Sequence, residues 1–433
     1  MKKTLILTMI MYCGSLFAEG LSTSNFNYMN DMVGGRASGM GGAYTAISDD
    51  PAGLYYNPAG SVFAPDNQLS LSVNSYKQKQ SRFKKVIGKD DYVQDVSSFY
   101  PSFFGVVQSF GNIKIGFSFV NLNNEILDQD SYFNDLTISD NPATFTMNYN
   151  ITENTLLAGP SISTFITDTV SVGATLYGLR RSRQEISFQM VTAETDSGNE
   201  LYEINNIYIT EEMYGVRPVI GVQFMPNQYI SIGASAMLGF IFSHERDVQR
   251  FYKEFEGGQV LGQTNTDGEE TSGTARSSVS YNDSTVPTIF RTGIAWYPSK
   301  KLIVSADIIA HIGTQNYQSS AEHTINGAIG TEYYVTSSFP VRVGIFSNVA
   351  NTPELEKGKQ DQEAHVNLLG FTSSVSWETR NSAITLSGMY QSSNYFGWDF
   401  LKEGEAQVYS GSSSIQELEM MIYTVSLTGT AKY

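Results

Sequence analysis

Five ionisable side chains stand where chemistry or ion pairing would be needed: Arg217, Arg291, Asp307, Glu332 and Arg342. Each lies in a segment whose apolar residues alternate at period two, and each falls on the face opposite the apolar one. Counting out from the turn at Pro298–Lys301 sets Arg291 diagonal to Asp307 across a strand pair. The turn at Thr336–Phe339 does the same for Glu332 and Arg342. Such inward charges form either a polar step in a transport path or pairs with one another and with an internal plug. Pairing is the better expectation, because barrel interiors are ordinarily polar. The four histidines, His244, His311, His323 and His365, fit neither HExxH nor another metal-ligand spacing, so no metal is expected. A hydrolase would need a nucleophile, a base and an orienting group brought together. Only His311 beside an inward serine approaches that, without a motif, so an enzyme is not expected and neither is a cofactor.

The elements that would hold these charges are strands. Only 16% of the 433 residues are charged, while 26 Tyr and 25 Phe bring aromatics to 12%. Soluble domains carry about a quarter charged residues. No segment after the leader approaches the roughly 18 apolar residues of a membrane helix. The expected fold is all-β, a transmembrane antiparallel β-barrel of about 14 strands with an N-terminal hatch or plug segment in its lumen. Hairpins turn on short links at Gly111-Asn112, Thr167-Asp168, Pro226-Asn227, Pro298-Ser299, Ser337-Ser338 and Arg380-Asn381. Long polar stretches separate them: Asn121–Asn141, Thr192–Asn206, Arg250–Ser278, Gly313–Ala321, Asn348–Ala364 and Ser392–Gln416. That asymmetry is the one between tight periplasmic turns and long outer loops. On the last strand Tyr423, Val425 and Leu427 should meet lipid, with Thr424, Ser426 and Thr428 facing the lumen. Tyr229, Trp296, Tyr297 and Trp377 lie beside short turns, where an aromatic girdle belongs. The terminal aromatic Tyr433 resembles the end signature that the barrel assembly machinery reads.

Lys2 and Lys3, the apolar run Thr4–Tyr12 and Ala18 form a signal peptide over residues 1–18. Cys13, the only cysteine, lies inside it, so the mature chain offers no thiol for disulfides, metal sites or catalysis. The expected location is the cell outer membrane. The formal charge of −16 argues against nucleic acid as a partner. The cluster Arg180-Arg181-Arg183 lies too far above its turn for the hydrocarbon zone, and is expected at a rim that meets lipopolysaccharide or other outer-membrane lipid.

Residues 19–66 form the hatch segment and 67–433 the barrel. The segment's centre, Gly34 to Gly60, reads GGRASGMGGAYTAISDDPAGLYYNPAG, too glycine-rich for a helix and too irregular for a strand. It resembles the N-terminal segment of the FadL/TodX family of outer-membrane hydrophobic-compound transporters. The resemblance rests on Gly41-Gly42-Ala43, Asp49-Asp50 and above all Asn57-Pro58-Ala59. It implies a fourteen-stranded barrel with an internal hatch, a ligand pocket beside that hatch and a sideways exit through the wall. Phe26, Tyr28, Met29, Met32 and Met40 would then line the pocket, methionine adapting to varied apolar shapes. Pro101, Pro160, Gly105 or Gly116 would mark the exit. The implied function is uptake of long-chain fatty acids or other hydrophobic compounds. The alternative, from the broader superfamily, is a scaffold or shuttle for protein secretion or envelope assembly.

Overall fold

The computed structural model describes residues 27–432 except 66, 88–89, 139–140, 195–197, 263–274, 281–285, 316–319, 360–361, 394–403 and 407–414. The expected leader, Cys13 and Phe26 lie outside the described residues. The chain forms a closed antiparallel barrel of 14 strands. The first six are β1 (Gln68–Ile87), β2 (Asp90–Phe110), β3 (Ile113–Ile138), β4 (Asn141–Thr167), β5 (Val170–Glu194) and β6 (Glu200–Asn227). Two strands run in two pieces each: β7 (Ile230–Met237 and Phe240–Glu256) and β8 (Ala275–Ser280 and Ile289–Ser299). The rest are β9 (Leu302–His311), β10 (Thr324–Thr336), β11 (Phe339–Asn348), β12 (Leu368–Glu378), β13 (Ser382–Ser392) and β14 (Gln416–Lys432). Gln68 pairs with Lys432, which closes the ring.

Alternation decides the faces. Tyr423, Val425 and Leu427 point outward while Thr424, Ser426 and Thr428 are buried inside. Around the ring the outward set is apolar near the short turns: Ile220, Val222 and Phe224 on β6, Ile294 and Trp296 on β8, Leu386 on β13. Such a band suits hydrocarbon, because the ladders of a closed ring pair the backbone of each strand with both neighbours.

Two kinds of expectation are corrected. The turns at Pro226-Asn227 and Pro298-Ser299 each lie two residues further on, at 228–229 and 300–301, because the strands continue through the prolines. Much of the polar stretches 121–141, 192–206 and 250–278 is strand: β3 to β6 run for 26, 27, 25 and 28 residues, against 10 for β9 and β11. A β-ladder needs only paired backbone groups, so polar side chains do not end it. The barrel is therefore tall on one side and short on the other. The tall walls close over the interior: Phe83, Tyr92, Leu418, Met420 and Ile422 from β1, β2 and β14 pack in one buried cluster with Leu127, Phe145 and Met147 from β3 and β4.

One seam is incomplete. The β2–β3 ladder runs only from Phe110↔Ile113 to Phe103↔Val120. Above it β2 pairs with β1 alone and β3 with β4 alone. Register shifts at Ser72/Val73 beside Pro101 and at Asn121/Asn123 mark the point of divergence. Proline has no N–H for the ladder, and a bulge bends its strand away from the neighbour.

Candidate functional site

The N-terminal segment, residues 27–65, lies against the inward faces of the strands. It is not without helix, as its composition led us to expect. Two short helices, α1 (Gly35–Gly39) and α2 (Gly53–Tyr56), and a 3-10 turn at Pro58–Phe63 fold it compactly. Gly41 and Gly42 adopt φ of 66° and 79°, which a side chain would resist. Asp50 Oδ1 accepts from the amides of Ala52 (2.8 Å) and Gly53 (3.3 Å), fixing the entry to α2. Asn57 uses its whole amide: Nδ2 donates to Thr45 O (2.9 Å) and to Val222 O on β6 (3.1 Å), while Oδ1 accepts from Ala59 N (3.2 Å). Pro58 then starts the 3-10 turn at a position where its missing N–H costs nothing.

The wall makes room for this segment with glycines that sequence reading passed over. A Cβ on Gly221 would stand 2.0 Å from Asn57 Oδ1, one on Gly173 2.5 Å from Pro58, and one on Gly233 2.2 Å from Thr45 O. Gly330 and Gly344 do the same for Met40. Glycine inside a strand signals close backbone approach, so the clue was present. Gly105 and Gly116 belong to this set: they face Pro51 and Leu54 and keep their ladder partners, and do not open the wall. Pro160 likewise stays in register opposite Phe117. Pro101 stands where β2 leaves β3, whereas at Pro160 the β4–β5 ladder skips Gly159 and Pro160 without a change of register.

The inward charges divide into two groups. Glu332 and Arg342 are directly opposite, not diagonal, since a register shift between Tyr334 and Thr336, just above the turn, moves the β10–β11 ladder by one step. Glu332 is fully buried and takes a bidentate pair from Arg36 of the N-terminal segment, Nε–Oε2 2.7 Å and Nη2–Oε1 2.9 Å, besides Arg342 Nε at 2.5 Å. Arg36 also pairs with Asp49. Asp307 does lie diagonal to Arg291, but its Oδ2 accepts instead from the amides of Tyr44 (3.0 Å) and Thr45 (2.8 Å). These acids anchor the segment to the wall.

Arg217 and Arg291 are different. Both are buried, and no ion pair joins either to an acid among the described residues. Arg217 donates to the carbonyls of Leu238 and Pro287. Arg291 lies over the rings of Tyr55 (5.0 Å) and Tyr56 (5.8 Å), reaches Tyr55 Oη at 3.4 Å, and leaves Nη1 without a partner. Tyr28, half buried, stacks on His311 at 4.4 Å beside them. Met29, Met32 and Met40 are buried in the apolar cluster that also holds Tyr55, Tyr56, Met237, Ile289 and Ile309. The segment thus carries an apolar body under a layer of unpaired cations.

At the foot of the open seam a cavity is lined by Asn30, Lys77, Lys79, Ser98, Asn123 and Glu125 among others. Lys77 pairs with Asp31 of the N-terminal segment, and Lys79 Nζ bridges to Glu125 across the seam at 3.0 Å. Higher up, the cluster Arg180-Arg181-Arg183 is neutralised by Glu212, Glu153, Glu211 and Glu185, instead of presenting free charge at a rim. Among the described residues no group of three His, Cys, Asp or Glu has metal-binding spacing.

A closed 14-stranded antiparallel barrel with its N-terminal segment packed against the inner wall defines the fold class. No protein-family model matches the chain, and no curated protein sequence matches it significantly. Solved structures do match. The toluene transporter TbuX of Ralstonia pickettii aligns with TM-score 0.60 at 13% identity, over 94% of this chain and 100% of that one. The P. putida toluene transporter TodX gives 0.59 at 13%, over 92% and 97%. A Pseudomonas aeruginosa FadL homologue gives 0.58 at 13%, over 94% and 99%. The fold is that of the FadL/TodX-like channels.

Proposed function

We propose that the protein is an integral barrel of the cell outer membrane that admits hydrophobic molecules carrying an acid group, long-chain fatty acids being the model substrate. The single observation that carries the acid preference is the pair Arg217 and Arg291, buried without carboxylate partners above an apolar cluster. A carboxylate there would gain charge-assisted hydrogen bonds, while its chain displaced the adaptable Met29 and Met32. Tyr28, Met40 and, by position, Phe26 complete the pocket in this reading, with residues 19–66 as the hatch and 1–18 as the cleaved leader. Short turns face the periplasm and the tall walls face outward, toward lipopolysaccharide. The incomplete β2–β3 seam is the sideways route. Its outer rim carries exposed Phe99, Tyr76 and Ile126, so a greasy chain leaving there stays out of water. Folding into the membrane would depend on the barrel assembly machinery.

The test is mass spectrometry of lipids retained by the purified protein, followed by competition with a fatty acid and the alcohol of equal length. Retained acids, and displacement by the acid far better than by the alcohol, are expected. Equal displacement by both, or a protein free of lipid that shows no uptake defect when deleted, would sink the proposal.

A further inference from the structure

The tall wall holds an acidic pair that neither the lumen network nor the anchoring of the N-terminal segment uses. Glu203 on β6 stands directly opposite Glu254 on β7, both on the inward face and 2% and 1% exposed. Directly opposed side chains on one face have Cβ atoms about 5 Å apart, which brings two carboxyl groups into contact range. Neither oxygen of Glu203, nor Oε1 of Glu254, has a hydrogen-bond partner among the described residues. Two neutral oxygens belong to residues on the same inward face. The Tyr252 hydroxyl is 7% exposed and makes no close hydrogen bond, and its ionisation is opposed by burial, then by the charges of Glu203 and Glu254 and by its interaction with the Glu203 carboxyl, which places it beside them. The Gln189 amide, 2% exposed, lies diagonal to Glu203 across the β5–β6 ladder, and its Oε1 is likewise unpartnered while its nitrogen donates to Ser187. Arg250, whose charge acts on Glu203, gives its Nε to Asn205.

A buried carboxylate is stable only when paired, protonated or bound to a cation. Two buried acids with a phenol and an amide oxygen on the same face, and no ion pair to a base among the described residues, are the donor set of a hard divalent ion. We propose that Glu203, Glu254, Gln189 and Tyr252 form a calcium site that clamps β6 to β7 in the outer wall. Two carboxylates balance the ion's charge, and the neutral oxygens with water complete an irregular shell. Magnesium, which demands a tight octahedron and gives up its water reluctantly, fits this strand-borne set poorly.

Calorimetric titration of calcium chloride into the purified, chelator-washed full chain tests the site. One calcium per chain is expected, with magnesium at least tenfold weaker. Glu203→Gln and Glu254→Gln should each weaken calcium at least tenfold, whereas Asp128→Asn, on the exposed outer face of β3, should not. Should the glutamine variants fail to fold, terbium luminescence decides. Tyr252 beside the ion should sensitise it, Tyr252→Phe should dim it, and calcium should quench it. Absence of calcium binding, equal binding by Glu203→Gln, or terbium emission untouched by Tyr252→Phe overturns the assignment.

Discussion

Replacing Arg36 by Met should loosen the N-terminal segment while leaving the barrel standing. The wild-type guanidinium makes two hydrogen bonds to a carboxylate with no exposure, at 2.7 and 2.9 Å. Breaking a buried ion pair by removing one partner costs about 3–5 kcal/mol, because the remaining charge is stranded. Here Glu332 keeps Arg342, and Asp49 is exposed enough to be hydrated, so the loss is reduced. A cost of about 2–3 kcal/mol remains, which at about 1.4 kcal/mol per tenfold is roughly a 30- to 150-fold increase in opening. Native-state hydrogen exchange reads this directly, since it resolves local opening from global unfolding. Amides bonded within the segment, such as Ser38 and Gly42, should exchange faster by that factor, and wall amides of β12 and β13 should not change. Arg36→Lys should fall between, a point charge replacing a planar fork. Unchanged exchange in the segment, or equal acceleration in the wall, would refute the idea that this ion pair anchors the segment.

Gly221→Ala should destabilise the protein through the 2.0 Å approach to Asn57, whereas Gly388→Ala, with open space around it, should be tolerated; the midpoint of heat-induced gel mobility change separates them. Lys79→Glu should place like charges across the seam opposite Glu125 and raise influx of a hydrophobic dye into cells, and adding Glu125→Lys should restore the barrier. Arg217→Met with Arg291→Met should weaken fatty-acid binding by about tenfold or more, as expected for loss of charge-assisted hydrogen bonds worth about 1.5–3 kcal/mol, and leave the alcohol unaffected. In the tall wall, burial would raise the Glu211 carboxyl, but its bond to His244 and the charge of Arg181 hold it down to about 2. A lowered carboxyl stabilises the fold above its usual 4.5 and loses that contribution as pH falls toward 2. Protease sensitivity of β5 and β6 should rise over that window, and Glu211→Gln should flatten the profile.

The strand count and the facing of side chains were readable because alternation is a local property. One register of Thr424, Ser426 and Thr428 against Val425 and Leu427 serves a two-faced wall and no other. The diagonal of Arg291 and Asp307 was readable too, since a short turn fixes the count. The tall wall was not: Asn121–Asn141 looks like loop because its side chains are polar, while the ladder that makes it strand lies in β4. The divergence of β2 from β3 was half legible, through Pro101.

By itself, then, the sequence determined the barrel, the inward charges and the compact Gly-rich segment with Asn57-Pro58-Ala59, for each depends on neighbours a few residues away. Tertiary structure decided what those charges are for. Arg36 meets Glu332 across 296 residues, Tyr44 and Thr45 claim Asp307, and Gly221 makes room for Asn57. The physical reason is that a buried charge is defined by its partner. Only the closing of the ring around residues 27–65 separates the anchored charges from Arg217 and Arg291, which meet no acid among the described residues.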